Sequence, residues 1–173
     1  HQRGRVVIFV EPIALYMTKD LHQADDKGWS FAYPAKDEEI QIGEFGVSGE
    51  GNDVTVLTYG NGFYFAKQAE KILREQHDVK LKLIDLRWIA PLNHEALAKE
   101  LARDKNVLIV DECRKTGSFS EALVTSLVEH MPQLPKIKVV AAHDSFITLG
   151  VAAAAGLPSR DDIINASLQM LGK

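Results

Sequence analysis

Cysteine is nearly absent: Cys113 is the only one in 173 residues. A lone thiol forms no internal disulfide, which removes the small stapled scaffolds of secreted proteins and fits a reducing cytoplasm. An excess of one charge is missing as well. The 20 basic side chains meet 24 acidic ones, for a formal net charge of −4. Nothing is left over to neutralise a phosphate backbone, so nucleic acid is not expected as a partner. No apolar run approaches the roughly 20 residues that cross a bilayer, and the first residues lack a signal-peptide pattern, so no membrane partner is expected either. The 6 histidines show no metal-ligand spacing, and a zinc centre is not expected.

What remains is an ordinary globular composition, 46% hydrophobic and 25% charged. A chain of this length folds as one domain, or as one domain carrying a remnant of another, without help from disulfide or metal. It opens at His1 with no initiator methionine and runs directly into Val6-Val7-Ile8-Phe9-Val10. That opening reads as a fragment cut from a longer protein, or as residues left by cloning.

Val6 to Val10 has the continuous apolar character of a strand buried on both faces, ended by Glu11-Pro12. Residues 18–36 are polar and irregular, with Trp29, Phe31 and Tyr33 among them. They read as a linker pinned by its aromatics to a neighbouring surface, or as a local loop cluster. Ile40 to Val47 reads as a half-exposed edge strand, and Gly49 to Asp53 as a turn. Beyond it the rhythm is regular. Strands are expected at Val54–Thr58, Val79–Leu86, Val107–Val110 and Ile137–Ala142. Helices are expected at Phe63–Arg74, Asn93–Ala102, Glu121–His130 and Asp161–Leu171, the last capped by Ser159 with Asp162 three residues on. This alternation predicts a three-layer α/β/α, Rossmann-like fold with a mainly parallel sheet and one antiparallel edge strand.

In such sheets ligands bind beyond the carboxyl ends of the strands. Four polar segments fall there, and six of their residues are candidate interface or anion-binding positions: Gly60, Gly62, Asp85, Arg87, Asp111 and Glu112. Gly60 and Gly62 suit a phosphate-cradling turn or a plain strand-to-helix turn. The third glycine of the dinucleotide fingerprint is replaced by Phe65, and no Walker lysine follows. Asp85 and Arg87 project to one face, as an ion pair or as a clamp for a carboxylate ligand. Asp111 and Glu112 face opposite ways and cannot act together as acid and base unless the chain turns. Cys113 and His143 would make a nucleophile and base only if the fold joined them. No complete active site is visible, and no catalytic, cofactor-binding or metal residue is assigned.

The motifs in order carry more than any one of them. VVIFVEP, IGEFGVSGEGNDVTVLTYGNG, IDLRWIAPLN, NVLIVDECRKTGSFSEAL, AAHDSFITLG and LPSRDDII resemble the beta half of thiamine diphosphate-dependent 2-oxo acid dehydrogenases, the decarboxylating component. The VDECRKTG segment is similar to versions whose alpha and beta halves are fused. The resemblance implies that residues 1–36 hold the last strand of a pyrimidine-binding domain plus a linker, and that 37–173 form a transketolase C-terminal domain. It also implies that thiamine diphosphate and magnesium are held by the parent's upstream pyrimidine- and diphosphate-binding domains. This chain would then serve assembly, as part of a homodimer and as a docking surface for the acyltransferase core that receives the acyl group on lipoamide. Gln133 stands near where the family often has an acidic residue for that docking, and Thr148 replaces a usual proline. Two other readings stay open: a free-standing small-anion-binding regulatory domain built around Gly60 and Arg87, and the C-terminal domain of a transketolase or deoxyxylulose phosphate synthase.

Overall fold

The computed structural model describes residues 4–49 and 51–173. Five strands form one sheet: β1 (Gly46–Ser48), β2 (Val54–Thr58), β3 (Leu81–Asp85), β4 (Asn106–Arg114) and β5 (Lys136–Ala142). Their order is β1-β3-β2-β4-β5. β1 runs antiparallel to β3 at one edge, and β2, β3, β4 and β5 are mutually parallel. Four helices join them: α1 (Asn61–His77), α2 (His94–Leu101), α3 (Phe119–His130) and α4 (Arg160–Leu171).

Strand periodicity assigns the helices to layers. Val54, Val56, Leu81, Leu83, Leu108 and Val110 pack on one face against Ala66, Ala69 and Leu73 of α1 and Ile163, Ala166 and Met170 of α4. The intervening Leu57, Ile84, Val107 and Ile109 turn to the other face, against Leu97 and Leu101 of α2 and Leu123 and Leu127 of α3. The central strands are therefore apolar at nearly every position, the pattern of a sheet covered on both sides. α4 begins with the expected capping box, Ser159 accepting from the Asp162 amide while the Asp162 carboxylate accepts from the Ser159 amide.

Three expectations need correction. Val6–Val10 forms no strand here and lies exposed: no strand of this sheet runs beside it, so its backbone has no ladder to join. The edge strand read over Ile40 to Val47 shrinks to Gly46–Ser48, because Gly43 takes a left-handed φ of 80° that bends the approach. β4 instead outlasts its apolar core by four residues. A register shift between Asp111 and Arg114 lets the polar continuation pair with Ala142 of β5. Of the turn read at Gly49–Asp53, Glu50 lies outside the described residues, as does the His1 opening.

The segment before the sheet is fastened to α1. Leu21 is buried, Trp29 packs edge-on against Tyr64 and tilted against Phe63, and Tyr64 Oη donates to the Asp20 carbonyl at 2.9 Å. Gln68 Nε2 donates to the Leu21 carbonyl at 2.6 Å. The Asp26 carboxylate gathers the amides of Leu21, His22, Gln23 and Gly28. Those four bonds hold its pKa far below the usual carboxylate range.

Candidate functional site

The chain leaves β2 toward β3 on one side and reaches β4 on the other, so the sheet's switch point lies between the carboxyl ends of β2 and β4. Four of the six candidate residues meet there. Gly60 caps α1 with a φ of 54° and a ψ of −129°, a conformation that glycine alone adopts without strain. A Cβ at Gly62 would collide with Thr58 Oγ1, which is buried at the end of β2 without a hydrogen-bond partner.

Asp111 lies across from this turn and is 1% exposed. Its Oδ1 accepts from Tyr59 Oη at 2.6 Å and from the Cys113 amide at 2.9 Å, while Oδ2 accepts from the Ser120 amide at 2.8 Å. The carboxylate thereby caps the first turn of α3 from the sheet. Burial, together with the Asp111 carboxylate it donates to, pushes the Tyr59 phenol well above its ordinary value. Next door, Asn61 Nδ2 donates to Glu112 Oε1 at 2.8 Å. Burial raises the Glu112 carboxyl and the nearby Asp111 charge adds to the rise, against the opposing bond from Asn61. The two bonds, Tyr59 to Asp111 and Asn61 to Glu112, span the switch point from β2 and α1 to β4. They fill with the protein's own side chains the crevice where such folds commonly hold a ligand.

Asp85 and Arg87 stand apart from this group, at the end of β3. Arg87 Nε lies 3.5 Å from Asp85 Oδ2, and Arg87 Nη1 lies 3.8 Å from Glu44 Oε1. A side chain at Gly46 would strike the guanidinium, so glycine lets Arg87 lie across β1. Burial lifts the Asp85 carboxyl while Arg87 pulls the other way. Arg87 thus lies within ion-pair distance of two carboxylates at the strand end.

The fold does not join Cys113 to His143: among the described residues no hydrogen bond connects them, and Cys113 is exposed. Reading the sequence gives no role to Tyr59, Asn61 and Ser120, whose roles depend on partners some 50 residues away or on a helix start. It also missed the tie between Thr116 and Asp144. Thr116 donates from its amide at 2.8 Å and from its hydroxyl at 2.6 Å to the Asp144 carboxylate, holding that acid below its usual range.

Two apolar segments frame the carboxyl end of the sheet. Pro12 lies over Gly60, leading back into the exposed Val6–Val10. After β5, residues 143–156 form a loop with Phe146 at 98% and Leu149 at 94% exposure, which itself lines a cavity of about 210 Å³. A neighbouring cavity of about 300 Å³ is lined by residues of β5 and α4.

The profile of the family "Transketolase, C-terminal domain" matches residues 43–154. The chain is 37% identical over 97 residues to 2-oxoisovalerate dehydrogenase subunit beta of Bacillus subtilis (strain 168), covering 56% of this chain and 29% of that protein. It is 25% identical over 167 residues to the pyruvate dehydrogenase E1 component subunit beta of Staphylococcus aureus (strain Mu50 / ATCC 700699), covering 95% and 48%. It thus spans less than half the length of either relative. Among solved structures, a split gene transketolase described as an inactive beta4 tetramer superposes with a TM-score of 0.67 at 23% identity, over 80% of this chain and 44% of that one. That likeness is one of fold.

Proposed function

Since the chain belongs to the transketolase C-terminal domain family, we propose that it is the assembly and interface domain of a 2-oxo acid dehydrogenase, from the beta half of the decarboxylating component. Its curated relatives are beta subunits of such enzymes. The structural observation that carries the reading is the carboxyl end of the sheet, where the protein's own side chains close the switch point and exposed apolar segments surround it. Val6–Val10 and, separately, Phe146, Ile147, Leu149 and Val151 are exposed apolar stretches, of the kind that marks an interaction site when contiguous. Surfaces of that kind are covered by partners.

The donor set here does not fit thiamine diphosphate or magnesium. Among the described residues no three His, Cys, Asp or Glu gather as a metal centre, the Gly60 turn lies beneath Pro12, and Arg87 is held by Asp85 and Glu44. In this proposal the upstream domains of the parent bind both groups and decarboxylate the 2-oxo acid, and the acyl group passes to lipoamide on an acyltransferase core. This domain pairs with a second copy, presents the apolar end of its sheet to the upstream domains, and works in the reducing cytoplasm.

The test is to co-express the chain with the remainder of its parent and follow assembly by sedimentation and 2-oxo acid decarboxylation by CO2 release. The chain alone should be inactive with thiamine diphosphate, magnesium and pyruvate. Phe146→Ser with Leu149→Ser should abolish assembly and activity together while the isolated chain keeps its fold. Full assembly by that variant would refute the docking role.

A further inference from the structure

The two edges of the sheet are finished differently. Natural sheets shorten, bulge, charge or cover an edge to keep other strands off it. β1 is 3 residues long, Gly43 bends the chain on its approach, and the Arg87 guanidinium lies over Gly46. β5 runs for 7 residues with no proline inside it, and the register shift of the β4–β5 pair falls on β4. Its charges are drawn onto α4: Lys136 Nζ donates to the Met170 carbonyl at 2.8 Å, and Lys138 Nζ to Gln169 Oε1. Hydrogen bonds fix which backbone groups point outward. The Lys136 amide donates to the Lys105 carbonyl, and the Ala142 carbonyl accepts from the Lys115 amide, so the even-numbered residues of β5 turn toward β4. Ile137, Val139 and Ala141 turn their N–H and C=O groups away, and among the described residues no hydrogen bond reaches them. His143 ends the row, its amide donating to the Gly156 carbonyl at 3.1 Å.

We propose that the free edge of β5 pairs with β5 of a second copy, antiparallel about a twofold axis at Val139, so that two 5-stranded sheets become one. This rests on the pairing with a second copy put forward above and names its surface. The register is self-complementary. Val139 faces its own copy and Ile137 faces Ala141, each pair exchanging both N–H···O bonds, which satisfies every outward group of the row. Lys136 stands opposite Ala142 and Lys138 opposite Val140, so no like charges face each other across the seam. Other centres fail. Axes at Ile137 or Lys138 set lysine against lysine, and axes at Val140 or Ala141 run the ladder into His143, whose amide is already taken. The pair buries helix surface as well. α4 rests on β4 and β5, and with strands about 4.8 Å apart the twofold axis brings the two α4 helices side by side.

Sedimentation equilibrium of the purified chain tests it, together with amide hydrogen exchange read by NMR. Over a dilution series the mass should rise toward twice the 19.2 kDa of the chain. The Ile137, Val139 and Ala141 amides should gain protection as the dimer forms. Ala141→Pro deletes an outward N–H that no bond within the described chain uses, a replacement that edge strands tolerate. It should keep the wild-type circular dichroism and stay monomeric where the wild type is dimeric. If that variant does not fold, the wild-type exchange pattern decides alone. Phe146→Ser with Leu149→Ser should leave the dimer of the isolated chain intact while losing assembly with the parent, which separates this seam from the docking surface. A wild type that stays monomeric would overturn the seam, as would a dimer whose Ile137 and Val139 amides exchange as in the monomer. So would a folded Ala141→Pro that dimerises like the wild type.

Discussion

Replacing Asp111 probes the switch point most directly. The carboxylate accepts three hydrogen bonds at 2.6, 2.9 and 2.8 Å in a site only 1% exposed. Asp111→Ala leaves Tyr59 Oη, the Cys113 amide and the Ser120 amide without their acceptor. The first two belong to partly open or exposed residues and can turn to water, whereas Ser120 is buried. A bond to a charged group contributes about 1.5–3 kcal/mol, and an orphaned buried donor costs about 1–3 kcal/mol. With two of the three donors rescued by solvent, the expected loss is about 3–5 kcal/mol. Asp111→Asn keeps the shape and one acceptor oxygen but aims its amide NH2, itself a donor, at a donor, for a loss of about 1.5–3 kcal/mol. Tyr59→Phe removes one donor and should cost about 1–2 kcal/mol.

Urea unfolding followed by far-ultraviolet circular dichroism at neutral pH measures all three, and the Tyr59–Asp111 double-mutant cycle isolates the shared bond. Adding Tyr59→Phe to Asp111→Ala should cost little more, giving a coupling of about 1–2 kcal/mol. A loss below about 1 kcal/mol for Asp111→Ala, or additivity within about 0.5 kcal/mol, would refute the view that this network is a stabilising tie.

Three further outcomes are expected. Burial raises the Glu112 carboxyl, so its ionisation opposes folding above the ordinary carboxylate range and the penalty fades as pH falls; Glu112→Gln should be at least as stable as wild type at neutral pH, with that advantage shrinking toward about pH 4.5 in urea midpoints. Gly62→Ala should destabilise by about 1–3 kcal/mol through its collision with Thr58 Oγ1, and Thr58→Ala should rescue it, since alanine favours the helix once the clash is gone. The depressed Asp26 pKa means its four amide bonds support the segment before the sheet above the ordinary carboxylate range and are lost as pH falls below it; Trp29 fluorescence should then shift to the red before the core signal changes, and Asp26→Ala should show that shift already at neutral pH.

The layers were legible because their cause is local. Val54, Val56 and Leu57, like Leu108 and Ile109, are apolar on both faces, which only a doubly covered strand requires, and the helical spacing of Ala66, Ala69 and Leu73 supplies one cover. Ends were less legible. The continuation of β4 through Glu112 and Cys113 looks polar and loop-like, and it is a strand because Ala142 of β5 offers a partner after the register shift. Val6–Val10 shows the converse. Its side chains ask for a sheet, and no strand of this one is placed to receive it, so β-branched composition there produced no ladder.

The site divides along the same line. Asp85 and Arg87 lie two residues apart, and their pairing is a consequence of strand geometry that a linear reading can reach. The spacing of Asp111 and Glu112 was equally readable, and they do take different partners, Tyr59 and Asn61. Which partners they take depends on α1 and β4 flanking one switch point, a fact of topology carried by no short motif. The same holds for His94 and His130, brought face to face by the packing of α2 on α3. In each case a residue's chemistry was readable from its type and its role from its neighbours. The neighbours that matter at the end of this sheet are the Val6–Val10 and Phe146–Val151 segments, whose exposure is stable in water only at the expense of apolar hydration. In the proposed role association relieves that penalty, and the variants aimed at Phe146 and Leu149 test that role most directly.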